Sequence, residues 1–490
     1  MEKRPISTRL ELSPDPYKSS KFFTFPEKPS DIFVVLMRIG LFVCLIASIS
    51  LAIYSAFSKP TGWFPYPYRS VRKISDVDSR PTNISHILFG LAGSLNTWRD
   101  RSRYSQLWWD ENTTRGFVWL DGKPDVDTLR PEVSTPYRIS EDWTRFKYSS
   151  SQSAVRIARI IYDNFKLGLP NVRWFVMGDD DTVFFTENLV SALAKYDHNK
   201  MYYIGGNSES VEQDVMHAYD MAFGGGGFAV SYPLAELLIK ILDGCLFRYY
   251  YFYGSDQRIW ACVSELGVPL TRESGFHQFD IRGSPYGLLA AHPVAPLVSL
   301  HHLDYLDSMF PNKTQIESLK SLMDAYRVDP ARLLQQSFCY DRSRRWSISI
   351  SWGFTIQIYT SIQMAKDLQV PLQTFRTWRS WSNGPFTFNT RPVTSNPCEA
   401  PVTYFLDHVE EVGKSGSFTS YKKFVAEDAN KCKTTVGIDN IVVSAMKMDP
   451  QFFSEAPRRQ CCEIMDRGKL KNGSLRIRIR KCRVRETITM

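Results

Sequence analysis

The run Ile39–Ser58 (IGLFVCLIASISLAIYSAFS) constrains this chain more than any other stretch, because it holds twenty residues without a charge between Arg38 and Lys59. A helix of that length spans ~30 Å, the thickness of a bilayer core. A helix in a soluble core is normally amphipathic, whereas this one is apolar all round. A cleaved signal peptide has a shorter apolar run that starts nearer the N-terminus. The expectation is a single-pass anchor at 39–58, a tail at 1–38 and everything from 59 to 490 on the other side of the membrane.

Flanking charges do not orient the anchor: Lys21, Lys28 and Arg38 precede it, and Lys59, Arg69, Arg72 and Lys73 follow it. Two other features do. Asn-X-Ser/Thr sequons at Asn83, Asn112, Asn312 and Asn472 all follow the run. Of nine Cys only Cys44 lies inside it. The other eight (Cys245, Cys262, Cys339, Cys398, Cys432, Cys461, Cys462, Cys482) are an even set, as pairing in an oxidising lumen requires. None has the C-x-x-C spacing of a zinc site. Both features place the long part in the secretory lumen. Hydrophobic residues at 43% and charged residues at 23% exclude a disordered, collagen-like or multi-pass chain. The net charge of +9 is spread along the sequence, with one dense run near the C-terminus, so no nucleic-acid partner is expected. Aromatics are 14%, and their flat apolar faces serve a core or stack on sugar rings.

Beyond the anchor, 59–82 is rich in Pro, Tyr, Ser and Arg and reads as a stem linker. The apolar run Ile84–Leu91 predicts a first buried strand. Asn96–Trp109 reads as a helix, Arg115–Leu120 as a strand, Ser149–Lys166 as a helix of 3.6-residue spacing, and Val172–Met177 as a strand. That alternation predicts an α/β domain with a mainly parallel sheet over 83–334. From about 335 the pattern changes. Trp346 to Ile358 alternates strictly and predicts one long half-buried strand, and Leu475, Ile477 and Ile479 alternate with arginines in another. With six of the exported Cys, 335–490 reads as a β-rich, disulfide-containing extension.

The sharpest chemical feature is the strand that runs into Asp179-Asp180-Asp181-Thr182. Unit charges 4 Å apart repel by ~1 kcal/mol in water and ~4 kcal/mol at an effective dielectric of 20. Three carboxylates closing a buried strand therefore call for a cation, and strand carboxyl ends are where open α/β folds bind ligands. Oxygen ligands suit Mg²⁺ or Mn²⁺ bridging to phosphates; the bland alternative is a solvated acidic turn at a helix start. Gly224-Gly-Gly-Gly227-Phe228 follows, where missing Cβ atoms allow close backbone approach. Then come Tyr253-Gly-Ser-Asp256-Gln-Arg258, a lone acid after the aromatics Tyr249–Tyr253, and Val298-Ser-Leu-His301-His302-Leu-Asp304, a His pair in an apolar run. Partial burial would raise the pKa of Asp256 toward that of a general base, whereas pairing with Arg258 would make it merely structural.

In this order the motifs resemble the Fringe-like β-1,3-glycosyltransferases and the core-one galactosyltransferases. The match is closest to a plant group of uncharacterised Fringe-related Golgi proteins, through Met221-Ala-Phe-Gly-Gly-Gly-Gly-Phe228, Gly275-Phe-His-Gln-Phe-Asp280 and His292-Pro-Val-Ala-Pro296. The resemblance covers roughly 84–312; the plant group alone also covers the C-terminal part. It implies a GT-A (Rossmann-like) fold, a UDP-sugar donor, Mn²⁺ (or Mg²⁺), inversion at the anomeric carbon, a glycan or glycoprotein acceptor, and a type II Golgi membrane protein with its catalytic part luminal. Asp179 and Asp181 match metal-binding acids, and His301 the metal-binding His, with His302 one residue away. Asp179, Asp180 and Gly225, Gly226 and Gly227 match the donor site, and Asp256 the general base. Ser255 stands where many relatives carry a second acid, and Fringe itself lacks the C-terminal part. The rival from another class is a non-catalytic luminal glycan-binding or scaffold protein that keeps the fold; a second rival is a retaining transferase.

Overall fold

The computed structural model describes residues 31–57, 80–125, 135–147, 149–396, 398–425, 436–465 and 473–488. Most of the expected tail and stem, Cys432 and Asn472 lie outside the described residues. The chain divides into two units, Met1–Ser79 and Arg80–Met490.

In the first unit, Asp31–Phe57 is one helix. Its window Met37–Tyr54 is long and apolar enough to cross a membrane, and its side chains are exposed. An all-round apolar surface of that length is consistent with a membrane anchor.

In the second unit, the sheet that carries the site has seven strands. Their spatial order is Tyr137–Ile139, Gly116–Leu120, Ile87–Ala92, Trp174–Asp179, Phe228–Ser231, Tyr203–Gly205, Leu270–Arg272. Neighbours are parallel except for Phe228–Ser231, which runs antiparallel to both of its partners. Each strand predicted for this sheet is present, with ends shifted by up to three residues. Residues Ile84–His86 form a 3₁₀ turn capped by Asn83, so the first strand begins at Ile87. The amphipathic helix Gln152–Lys166 starts behind the N-cap Ser151 and covers one face with Tyr232–Arg248 and Ser255–Glu265.

The reversed strand matters for function. Because Met177 pairs with Phe228 in antiparallel register, the start of one strand lies beside the end of the other. The glycine run before Phe228 is thereby set against the acids after Met177. Two small sheets complete the arrangement. Ser299–Leu300 pairs antiparallel with Val183–Phe184 and parallel with Phe276–His277. Ile281–Gly283 pairs antiparallel with Phe375–Thr377.

The C-terminal sheet has eight strands. In space they run Gln336–Asp341, Trp346–Ser351, Thr355–Tyr359, Val402–Val412, Gly416–Lys423, Asn440–Met446, Ser474–Lys481, Gln460–Ile464. Cys339–Cys462 joins the first strand of that order to the last, so the sheet curls on itself. Cys461–Cys482 and Cys245–Cys262 are also bonded, and Cys398 is disulfide-bonded. The single strand expected over Trp346–Ile358 is instead a hairpin, turned at Gly353 with φ +78°. Three turn residues keep the alternation in phase, which hides the turn from a period-2 reading. Its second face is buried as well: Ser351 Oγ donates to Leu289 O at 2.9 Å, and Gln357 Nε2 to Tyr286 OH at 2.9 Å. The apolar face (Ile348, Ile350, Ile356, Ile358) joins Leu319 and Leu322 of helix Gln315–Val328 in a core continuous with the seven-stranded sheet.

Candidate functional site

Asp179 ends its strand, and the chain turns at once through Asp180 and Asp181 into Val183–Phe184. Thr182 fixes the turn: its Oγ1 accepts from the Asp179 N–H at 2.8 Å and donates to Gly225 O at 2.7 Å. One hydroxyl thus fastens the acids to the glycine loop. Because Leu300 pairs with Val183, the next residue along, His301, arrives opposite the acids.

The result is a compact cluster. One ligand atom each from Asp179, Asp181 and His301 fall within 4.8 Å of one another. His301 Nε2 lies 3.2 Å from Asp181 Oδ1 and 3.6 Å from Asp179 Oδ2. Asp181 is fully buried; its oxygens have only the ion-pair contacts of Arg101 and His301, without well-aligned hydrogen bonds, and His301 Nδ1 has no hydrogen-bond partner. Buried polar atoms left in this state cost free energy unless something else binds them. Two carboxylates and an imidazole are a donor set that suits a hard to borderline divalent cation. Gly225 is part of the fit, since a Cβ built there would fall inside the His301 ring.

Electrostatics follow from burial and crowding. Burial pushes the Asp179 carboxyl up to about 6, with Asp181 and Asp256 adding and His301 opposing. Asp180 is pushed up to about 7 by burial and by Asp181. Against the cost of its own burial, Asp181 is held well below the usual carboxylate range by His301 and Arg101. His301, although buried, is raised to about 9 by Asp181 and Asp179.

Asp180 is not in the cluster. Its carboxylate accepts from Thr97 Oγ1 at 2.8 Å and from Arg101 Nη1 at 3.2 Å. Arg101 also lies 3.1 Å from Asp181 Oδ2 and 3.4 Å from Asp304 Oδ2, and Tyr104 OH donates to Asp304. These partners stand on helix Leu95–Ser105. The sequence reading missed them, because nothing marks Arg101 apart from Arg99 and Arg103 until the helix is docked. His302 also points elsewhere. Its Nδ1 is 3.1 Å from Asp280 Oδ1. Asp280 accepts in turn from Ser208 Oγ at 2.7 Å, and behind it His277 lies between Glu209 (3.1 Å) and His292 (2.9 Å). Burial pushes Glu209 up to about 8 and His277 down to about 4, so both of these groups are neutral near pH 7.

Across the glycine loop stands Asp256, in the first turn of helix Ser255–Glu265. Its Oδ2 accepts from the Gly224 N–H at 3.2 Å and its Oδ1 from the Gln257 N–H at 2.9 Å. Burial raises its pKa, with the Gly224 N–H and His217 opposing. Arg258 is not its partner: the guanidinium binds the carbonyls of Tyr250 (3.1 Å) and Phe252 and the Ser150 hydroxyl (3.2 Å). Asp179, Gly224, Ser255 and Asp256 line one cleft over an apolar floor that includes Ile157 and Ile160.

No curated protein matches this chain. Among solved structures, the crystal structure of a glycosyltransferase involved in the glycosylation of the major capsid of PBCV-1 is similar over 48% of this chain and 98% of its own, with 13% identity and a TM-score of 0.26. A family model described as "Protein of unknown function, DUF604" matches residues 213–462, just over half of the chain, from the helix before the glycine run to Cys462. The chain therefore belongs to the DUF604 family, whose region holds Gly225–Gly227, Asp256 and His301.

Proposed function

We propose that this protein is a membrane-anchored, metal-dependent glycosyltransferase that moves a sugar from a UDP-sugar to an acceptor hydroxyl with inversion, in β-1,3 linkage, as a type II protein of the Golgi lumen. The observation that carries the reading is the joint placement of Asp179, Asp181 and His301 on one side of the glycine loop and Asp256 on the other. Asp179, Asp181 and His301 would hold Mn²⁺ or Mg²⁺. Bound there, the ion would act as a Lewis acid toward a leaving diphosphate.

The chain's own groups do the rest. Asp181, kept ionised by Arg101 and His301, anchors the cluster. Asp180 holds helix Leu95–Ser105 to the acid turn through Thr97 and Arg101. Gly225, Gly226 and Gly227 are buried against His301, Gln278 and Phe184, so their missing Cβ atoms bring the loop up to the cluster, and the partly exposed Gly224 is the glycine of the run that a donor can reach. Asp256, its pKa raised, takes the proton from the acceptor hydroxyl as that oxygen attacks. Inversion needs one such base and no covalent nucleophile. The two N–H groups that Asp256 accepts hold its carboxylate in place for that task.

The test is UDP release from a panel of UDP-sugars by the purified full-length protein, with and without Mn²⁺, against Asp181→Ala. Metal-dependent release by wild type alone is the expected result. Absence of release and of any metal-dependent UDP binding would leave the glycan-binding alternative.

A further inference from the structure

A cluster of aromatic rings extends from the His301–His302 pair to the surface. His302 stacks on Trp378 with ring centroids 4.2 Å apart and planes 5° from parallel. Tyr305 stands edge-on to both, 5.7 Å from His302 and 5.1 Å from Trp378. The Arg282 guanidinium sits at their centre, 3.7 Å from the Trp378 ring, 5.0 Å from Tyr305 and 5.6 Å from Trp381. Trp378 is partly exposed among these contacts. Tyr305 and Trp381 leave 48% and 56% of their surface in solvent.

Trp381 is held outward at a cost to the backbone. Its φ is +55°, a left-handed conformation that a bulky L residue rarely adopts. The loop around it imposes that conformation. Thr377 N–H donates to Ser382 O at 2.9 Å, Ser382 N–H donates to Thr377 Oγ1 at 3.0 Å, and Ser380 N–H donates to Glu212 at 3.3 Å. Glycine would fill the turn without strain, and the indole packs into none of the described core clusters. A strained, exposed tryptophan outside the described core clusters points to a ligand.

We propose that Trp381 and Tyr305 form a platform that stacks the pyranose rings of an oligosaccharide acceptor beside the Asp179, Asp181 and His301 cluster. The chemistry of the surface selects that class. A pyranose has an apolar C–H face, which matches an exposed indole or phenol face, and Arg282 gives the platform rigidity. Calling the saccharide an acceptor rests on the transferase reading; the stacking itself does not.

The experiment separates the two. Full-length protein in detergent is applied to a printed array of β-linked galacto-, gluco- and manno-oligosaccharides, and UDP–Mn²⁺ affinity is measured in parallel by calorimetry. Wild type should bind at least one oligosaccharide. Trp381→Gly with Tyr305→Ala should weaken that binding tenfold or more, and Trp381→Phe should keep most of it. Trp381→Gly alone should melt no lower than wild type, because it relieves the left-handed strain, so its lost binding cannot be misfolding. UDP–Mn²⁺ affinity should not change in any variant. Failure of wild type to bind any oligosaccharide, or equal binding by wild type and the double variant, overturns the proposal and leaves the patch to a protein partner. Saccharide binding that follows the variants without transfer from any UDP-sugar would keep the platform and remove the enzyme.

Discussion

Metal affinity at the cluster should depend steeply on pH, in a direction that the structure fixes. His301 is raised to about 9 by Asp181 and Asp179, and only a neutral imidazole ligates a metal. At pH 7 about one molecule in a hundred has His301 neutral, so the proton weakens binding about a hundredfold, or about 2.7 kcal/mol, relative to a pH well above 9. Affinity should rise about tenfold from pH 7 to pH 8, with about one proton released per ion bound. As pH falls through about 6, Asp179 takes up a proton too, and the dependence steepens. Stability without added metal carries the opposite sign. A raised His pKa contributes stability that is fully present below ~6.5 and is lost as pH rises through about 9. The assay is Mn²⁺ calorimetry with UDP present, at pH 6.5, 7 and 8, in two buffers of different ionisation enthalpy to count protons. His301→Asn should bind weakly and lose the slope between pH 7 and 8. Equal wild-type affinity at pH 7 and 8, with no proton released, would refute the reasoning.

Other consequences are as direct. Asp256→Asn keeps its shape and its bond from the Gly224 N–H but cannot accept a proton, so transfer should fall by ~10²–10⁴ with UDP affinity unchanged, measured as turnover against calorimetry. Gly225→Ala should displace the His301 ring, lower stability by ~1–3 kcal/mol and abolish nucleotide-dependent metal binding, read by urea titration and calorimetry. Arg101→Gln leaves Asp180 and Asp181 short of their cation and, because Arg101 is partly exposed, should cost up to about 3 kcal/mol in the same titration. Asn83, Asn112 and Asn312 are all exposed, so glycosidase should raise gel mobility if this part is luminal; an unchanged band would argue against that orientation.

Short-range pattern was enough to place the apolar helix, since twenty uncharged residues admit few environments. It also placed the early strands, and the acids at the end of one of them, because period and burial are local properties. The same kind of pattern misread Trp346–Ile358, where Gly353 turns the chain without breaking the alternation. Nor could it choose between His301 and His302. The two rings lie only 4.1 Å apart, with His302 in a left-handed conformation, and which one faces Asp181 depends on the pairing of Leu300 with Val183. Arg101, Thr97 and Asp304 were silent for a similar reason. Arg101 meets Asp180 across 79 positions of sequence, and such a contact exists only once helix Leu95–Ser105 has docked. The sequence therefore determined which chemical groups are present and which local elements carry them. The reversed strand, the small antiparallel pair and the docked helix decided which of those groups meet, because charges act through space and only the folded chain sets that distance.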